Sequence, residues 1–478
     1  MIPSSLPQEA SAAWELLLPA AAAPARARGR SLQSALREAV RSGRLAPGTR
    51  LPSSRDLAGD LGVSRGLVTD AYEQLTAEGY LRSGRGAGTW VGDAVRAGAP
   101  AVRDLSPRRP GDSRVDFVAG RPDLSMFPRA AWSAAQRAVL ADLPHEQLGY
   151  PDPRGLPRLR TALAELLTRR RGVVADPERI VVCSGVTQAV TLLGIVLHAR
   201  GERAVGVEDP GSPQYEDLFA TAGPRVVRLP MDDEGLALGP LRASGVRAVV
   251  TNPGHHFPSG IAYSADRRAG LLAWAREAGG IVVEDDYDGD FRYDRAPVGA
   301  LQGLDPDRVA YTGSVSKSLV PGLRLGWLVV PDGLADEVVA RKQYMDLGNP
   351  TLDQAVLAHF MERGDYDRQL RRCQRAYKER RDVLLSALET YLPGTRVSGI
   401  AAGLHAIATL PEHYGPERRL LERCAEAGVT VRPLSAYGRT DAAGVSLVLG
   451  YAHVPPARIT EGVRLLAEAA RPSGGRPA

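Results

Sequence analysis

The sequence predicts an α/β protein in two parts: a short head of three helices and a hairpin, then a long domain of alternating strands and helices that closes on a smaller α+β lobe. Three observations predict it. Residues 30–93 carry apolar residues at helical spacing, broken by turn signals at Pro47-Gly48, Gly62 and Gly79. From residue 115 onward, short apolar runs alternate with helical patterns, as they do around a mostly parallel sheet. Between the two, residues 94–114 (AVRAGAPAVRDLSPRRPGDSR) are rich in Gly, Pro and Arg and have no apolar period, as a linker has none. A chain of 478 residues, 44% apolar and 24% charged, has material for at least two cores and is not globally disordered.

Taken in order, residues 1–29 are Ala- and Pro-rich and are expected to be unstructured, like the tail 471–478. Leu32, Leu36, Ala39 and Val40 then form one helical face, and Pro47-Gly48 a turn. Ser53, with Asp56 three residues on, caps a second helix whose stripe is Leu57 and Leu61. Gly62 ends it, and Ser64 caps a third with Val68, Tyr72 and Leu75 inward. Two short helices on a three-residue turn make a helix-turn-helix. Residues 80–82 and 89–91 are strand candidates flanking a Gly-rich tip, a wing.

In the long domain, strands are expected at 179–183, 204–208, 247–251, 281–284, 309–312 and 325–330, with helices such as 188–197 and 267–278 between them. A long Arg-rich helix over 366–388 and strands near 403–409 and 445–450 make a small lobe from about 350. No apolar run approaches the roughly 20 residues that span a bilayer, and residues 14–23 lack a basic leader, so neither a membrane span nor a signal peptide is expected. Cys183, Cys373 and Cys424 have no CxxC spacing; no metal site and no disulfide framework is expected, which suits a cytoplasmic protein.

Charge and lysine usage narrow the function. Residues 26–114 hold 16 Arg against 9 Asp and Glu, residues 1–25 hold only Glu9 and Glu15, and the rest is neutral within a total of +5. A basic excess confined to the head is the footprint of a polyanion contact. The chain has three lysines, Lys317, Lys342 and Lys378, and arginine at every other basic position. A lysine kept in that background points to what an amine does and a guanidinium does not, attack on a carbonyl.

Lys317 ends the run Thr312-Gly313-Ser314-Val315-Ser316-Lys317, and Arg324 follows seven residues later. One amine among hydroxyls and an arginine is an arrangement for pyridoxal phosphate: Lys317 forms the Schiff base, and Ser314, Ser316 and Arg324 hold the phosphate. Upstream, Glu284-Asp285-Asp286-Tyr287 closes an apolar strand, where a carboxylate can meet the pyridine nitrogen and Tyr287 the ring phenolate. Ser184-Gly185-Val186-Thr187 opens a helix whose free N–H groups favour a phosphate.

Residues 45–91 resemble the winged helix-turn-helix of the GntR superfamily. Residues 116–455 resemble the fold type I, pyridoxal phosphate-dependent aminotransferases, through the phrases GRPD at 120–123, LGYPDPRG at 148–155, VEDPG at 207–211, HHFPSG at 255–260 and EDDYDGDFRY at 284–293. Together they resemble the MocR-type (GabR-like) transcriptional regulators. The resemblance implies double-stranded operator DNA as partner, met by Arg55, Ser64, Arg65 and Thr69 and by Arg85 on the wing. It also implies Lys317 as the Schiff-base lysine, Asp285 on the pyridine nitrogen, Tyr287 on the phenolate, and Val186, Thr187, Ser314 and Arg324 on the phosphate. Homodimers are implied in which the winged helix of one chain lies against the aminotransferase-like domain of the other.

Three positions depart from the enzymes. Ser212 stands where an aromatic commonly stacks on the ring, Val448 where aminotransferases carry the arginine for a substrate carboxylate, and Phe257, after His255 and His256, where they place an asparagine. Arg121 and Arg432 are the candidates for an effector carboxylate instead. The expected function is a regulator that senses pyridoxal phosphate, an amine or an amino acid, without sustained transaminase turnover. The alternatives are a working aminotransferase with an accessory DNA-binding domain, and a regulator whose large domain is an inert dimerisation scaffold.

Overall fold

Ser53 and Ser64 begin two helices by the same device. Each hydroxyl accepts an N–H of the first turn, that of Asp56 at 3.2 Å and that of Leu67 at 3.3 Å, in the helices Ser54–Leu61 and Arg65–Ala77. Between them Gly62 takes a φ of 63°, which lets the chain leave one helix and enter the next in three residues. The helix Arg28–Arg41 completes the bundle. Leu36, Leu57, Val68, Ala71 and Leu75 are fully buried at its centre, and the Tyr72 hydroxyl donates to the Pro52 carbonyl at 3.0 Å. Strands β1 (Arg50–Leu51), β2 (Leu81–Gly84) and β3 (Gly88–Val91) form an antiparallel sheet with β3 central, anchored by Leu51, Leu81 and Val91.

This computed structural model describes residues 23–24, 26–84, 88–92, 113–293, 298–438 and 444–471. The chain divides into two compact units, Met1–Pro110 and Gly111–Ala478. In the second, β4 (Val115–Asp116) precedes the main sheet, whose strands are β5 (Ile180–Cys183), β6 (Ala204–Asp209), β7 (Arg225–Asp232), β8 (Gly235–Leu236), β9 (Ala248–Thr251), β10 (Ile281–Asp285), β11 (Val309–Ser314) and β12 (Gly326–Val329), in spatial order 5-12-11-10-9-6-7-8. Strands β11, β10, β9, β6 and β7 run parallel. β12 is antiparallel to both of its neighbours, so the run over 325–330 enters the sheet from the opposite end. Helices cover both faces, and β5, β9, β11 and β12 are buried almost throughout because neither face meets water.

The small lobe is an antiparallel sheet of β13 (Arg396–Ser398), β14 (His405–Thr409), β16 (Arg432–Pro433) and β17 (Ser446–Gly450), packed with the helices Asp365–Tyr391 and Pro456–Ala470. β15 (Val429–Thr430) takes β4 as its parallel partner, so the beginning of this unit is stitched to its end.

Candidate functional site

The carboxyl ends of the parallel strands open on a cleft of about 480 Å³. Asp285 ends β10, Ser314 ends β11, and Ser184, after β5, leads into the helix Val186–Ala199. Lys317, Asp285, Tyr287, Val186, Thr187, Ser314, Ser316 and Arg324 all line this one space, though the sequence spreads them over 139 residues.

Each is held in place by its neighbours. Gly185, at φ 84°, caps the helix without any side-chain acceptor, so the first-turn N–H groups face the cleft with no intrahelical partner. A side chain at Gly185 is disfavoured by its φ, and a Cβ there would lie 2.9 Å from Nη2 of Arg324, which would have to shift. Arg324 itself sits at φ 51° and donates to the Ser184 carbonyl. The Ser316 N–H reaches Oγ of Ser314 at 3.4 Å. On the floor, Asp285 accepts from the Tyr215 hydroxyl at 2.6 Å and from Oγ1 of Thr312 at 3.3 Å. Burial pushes its carboxyl up to about 6, with Asp286 and Asp288 adding to the push and the bonds from Tyr215 and Thr312 opposing it. Lys317 donates to the Gly120 carbonyl at 2.5 Å; burial lowers its pKa, against Asp285 and Asp288, which favour the ammonium. Tyr287, raised well above its ordinary value by burial and then by Asp288, has its hydroxyl 3.2 Å from Nδ1 of His255, which lies 2.8 Å from Asp288.

The opposite wall is made of Phe257, Tyr437 and Arg432. Phe257 stands edge-on to Tyr287, His405 and Tyr437. His255 and His256 are committed elsewhere, to Asp288 and to Ser259 at 2.6 Å, so neither supplies the missing amide. Arg432 is the direct cross-strand partner of Val448, so its side chain emerges on the same face, one strand over from the position where the enzymes carry an arginine. Arg121 is not among the lining residues; it is ion-paired with Asp116. Ser212 lines the cleft, and three residues later so does Tyr215, an aromatic that motif reading passed over. Tyr215, Asn252, whose amide donates to the Asp285 carbonyl at 2.7 Å, and Asp288 are functional neighbours that sequence reasoning missed. The signal for Tyr215 was its spacing, one helical turn past Pro210-Gly211. Beneath the floor lies a much smaller pocket shared by Lys317, Ser318 and Trp327.

In the head, Arg55 and Arg65 occupy the first turns of the two capped helices, both exposed and with side chains that make no hydrogen bond or ion pair among the described residues. The Ser64 hydroxyl is occupied as a cap, and the Thr69 hydroxyl donates to the Arg65 carbonyl at 3.0 Å. Arg85 lies outside the described residues. Among those residues, no cluster of metal-ligating side chains and no helix long and apolar enough to cross a membrane is found.

Chemically, the cleft offers one amine, a buried carboxylate facing it, a phenol, and a cup of N–H, hydroxyl and guanidinium donors suited to a dianion. Comparison with known proteins agrees with both halves. Residues 115–464 match the aminotransferase class I and II family, and residues 29–91 the bacterial regulatory proteins of the gntR family. The chain is 35% identical to the probable rhizopine catabolism regulatory protein MocR of Rhizobium meliloti, over 92% of this chain and 93% of that protein. It is 32% identical to the HTH-type pyridoxine biosynthesis transcriptional regulator PdxR of Corynebacterium glutamicum, over 88% and 91%. The second unit superimposes on the Pyrococcus horikoshii kynurenine aminotransferase crystallised with PMP, with a TM-score of 0.67 and 30% identity, over 75% of this chain and 91% of that one. With a gntR-type head joined to the fold of pyridoxal phosphate-dependent aminotransferases, the chain belongs to the MocR-type HTH transcriptional regulators.

Proposed function

We propose that the protein binds operator DNA through residues 30–93 and, in the domain spanning 115–475, couples that binding to pyridoxal phosphate chemistry at Lys317. The observation that carries this reading is the convergence of the eight candidate residues on one cleft in a chain that also bears a gntR-type head. When bound, pyridoxal phosphate supplies an aldehyde that condenses with an amine, releasing water, and a ring that withdraws electrons once its nitrogen is protonated. Lys317 supplies the amine, and its lowered pKa raises the neutral, nucleophilic fraction near neutrality. Asp285, anionic above about pH 6, is placed to hold a proton on the ring nitrogen, and Tyr287 to donate to the phenolate oxygen. Val186, Thr187, Ser314, Ser316 and Arg324 hold the phosphate. Arg432, which lines the cleft beside the neutral Val448, takes the carboxylate of an effector.

The working assembly is a homodimer. The segments 148–152 and 344–352 meet where Gly348 lies against Pro151, and they expose Tyr150 (89%), Tyr344 (90%), Leu148, Met345, Leu347 and Leu352. A soluble chain rarely leaves so much contiguous apolar surface open, and a second copy covers it. A ligand then acts by linkage, shifting DNA affinity by the difference in its affinity for two arrangements of the domains.

The test is titration of purified protein with pyridoxal phosphate, and then with candidate amines and amino acids, while following visible absorbance and operator affinity together. Absorbance and affinity that change in step support the reading, and the titration separates pyridoxal phosphate from an amine as the signal. Sustained turnover of an amino donor with a keto acid would make the protein an aminotransferase. No visible band at saturation would make the large domain a scaffold.

A further inference from the structure

Lys342 is one of only three lysines among 60 basic residues, and its side chain is 0% exposed. Its ammonium donates to both oxygens of Asp346, at 2.8 and 2.6 Å. Helix energetics does not explain this pair. Lysine preceding a carboxylate at i+4 is the weaker orientation, and Asp346 is the last residue of the helix Asp332–Asp346, where a negative charge opposes the dipole. A buried ammonium is retained only where its partners hold it, so what Asp346 does next matters.

Asp346 accepts a further hydrogen bond from the Gln188 side-chain amide at 2.7 Å, and the Gln188 carbonyl oxygen accepts the Ser184 N–H at 2.7 Å. A carboxylate can only accept, so the amide is locked with its NH₂ toward Asp346 and its oxygen toward Ser184. Ser184 is tied twice more, by Nδ2 of Asn349 on its hydroxyl at 2.9 Å and by Arg324 on its carbonyl. Ser184 immediately precedes Gly185, whose positive φ of 84° leads into the helix that presents the first-turn N–H groups of Val186 and Thr187 at the cleft. The buried ammonium thus reaches the phosphate cup through two side chains without touching it.

We propose that Lys342 is a positioning residue: through Asp346 and Gln188 it fixes the Ser184 peptide, and with it the cup that distinguishes a phosphorylated aldehyde from an unphosphorylated one. The proposal rests on the cofactor reading above. Arginine does not fit the role, because its longer, planar head would have to be packed where Lys342 has no exposed surface.

The experiment titrates full-length wild type, Lys342→Met, Asp346→Asn and Gln188→Leu with pyridoxal phosphate and separately with pyridoxal, reading visible absorbance. Each variant is expected to lose about tenfold in affinity for pyridoxal phosphate while binding pyridoxal within about twofold of wild type, and Lys342→Met combined with Gln188→Leu is expected to lose no more than either alone. An equal loss for both aldehydes, or no loss for either, overturns the proposal even where the wild type gives its band. A wild type without a band overturns the cofactor reading and this proposal together. The three variants alter separate links, so misfolding of one leaves two to decide.

Discussion

The two ends of this chain handle polar side chains in opposite ways. In the head, Arg55 and Arg65 stand exposed at helix starts with nothing to hold them among the described residues. In the cleft the charged candidates are engaged: Asp285 by Tyr215 and Thr312, Lys317 by Gly120, Arg324 by Ser184. A surface that meets a solvated polyanion can leave its cations loose and let counterion release do the work. A cleft lined by buried charges must hold each of those charges before the ligand arrives, since an unpartnered buried polar group costs about 1–3 kcal/mol. Substitutions in the head should therefore act singly and sensitively to salt, and those in the cleft through their neighbours.

The largest effect that sharpens this contrast is Lys317→Ala. The visible absorbance acquired on mixing with pyridoxal phosphate is expected to vanish, while operator affinity in the absence of ligands stays near wild type in a fluorescence-anisotropy titration. Survival of the band would place the reactive amine elsewhere. Next comes Arg65→Ala, expected to cost about 1–3 kcal/mol of operator binding and to relax sequence preference at one position. Unchanged footprints would remove the third helix from recognition.

A smaller effect follows from Asp285. Folded, its carboxyl holds a proton to about pH 6, against about 4 when unfolded, so it favours the folded state below that window and the benefit is lost as the pH rises through 6. Asp285→Asn lacks that loss. The ligand-free variant should gain on wild type in thermal melts between pH 4 and 7, by on the order of 2 kcal/mol, while retaining pyridoxal phosphate less well. Parallel melting curves across that range would contradict the assigned burial. The smallest effect is expected from Arg121→Ala, whose ion pair with Asp116 lies outside the cleft: effector titrations should match wild type, whereas Arg432→Ala should weaken carboxylate-bearing effectors. The reverse outcome would exchange the two arginines.

Much of this was legible in the sequence wherever a local rule sufficed. Ser53, Gly62 and Ser64 mark helix ends through chemistry confined to a few residues, and the runs at 179–183, 281–284 and 309–312 each hold an unbroken apolar stretch, at 180–183, 281–283 and 309–311, because those strands are covered on both faces. β7 escaped notice: near the sheet edge it is partly exposed, with Arg225, Arg228 and Pro230 interrupting its apolar run. The antiparallel sense of β12 is equally silent, since periodicity carries no direction. In the cleft, the residues around Lys317 and Gly185 that line one space could be picked out from short motifs. Tyr215 on Asp285, and the register that sets Arg432 beside Val448, depend on contacts between segments far apart in the chain.

The rarity of lysine has a practical corollary. Lys342 is sealed and Lys317 lines the cleft, which leaves Lys378, half exposed beside Asp382, as the one lysine open to bulk solvent. With Lys317 blocked by pyridoxal phosphate, an amine-reactive dye should mark one lysine of the folded protein, Lys378, besides the α-amino group, giving a fluorescent beacon on the long helix from which distances to a labelled DNA end can be followed as ligands are added.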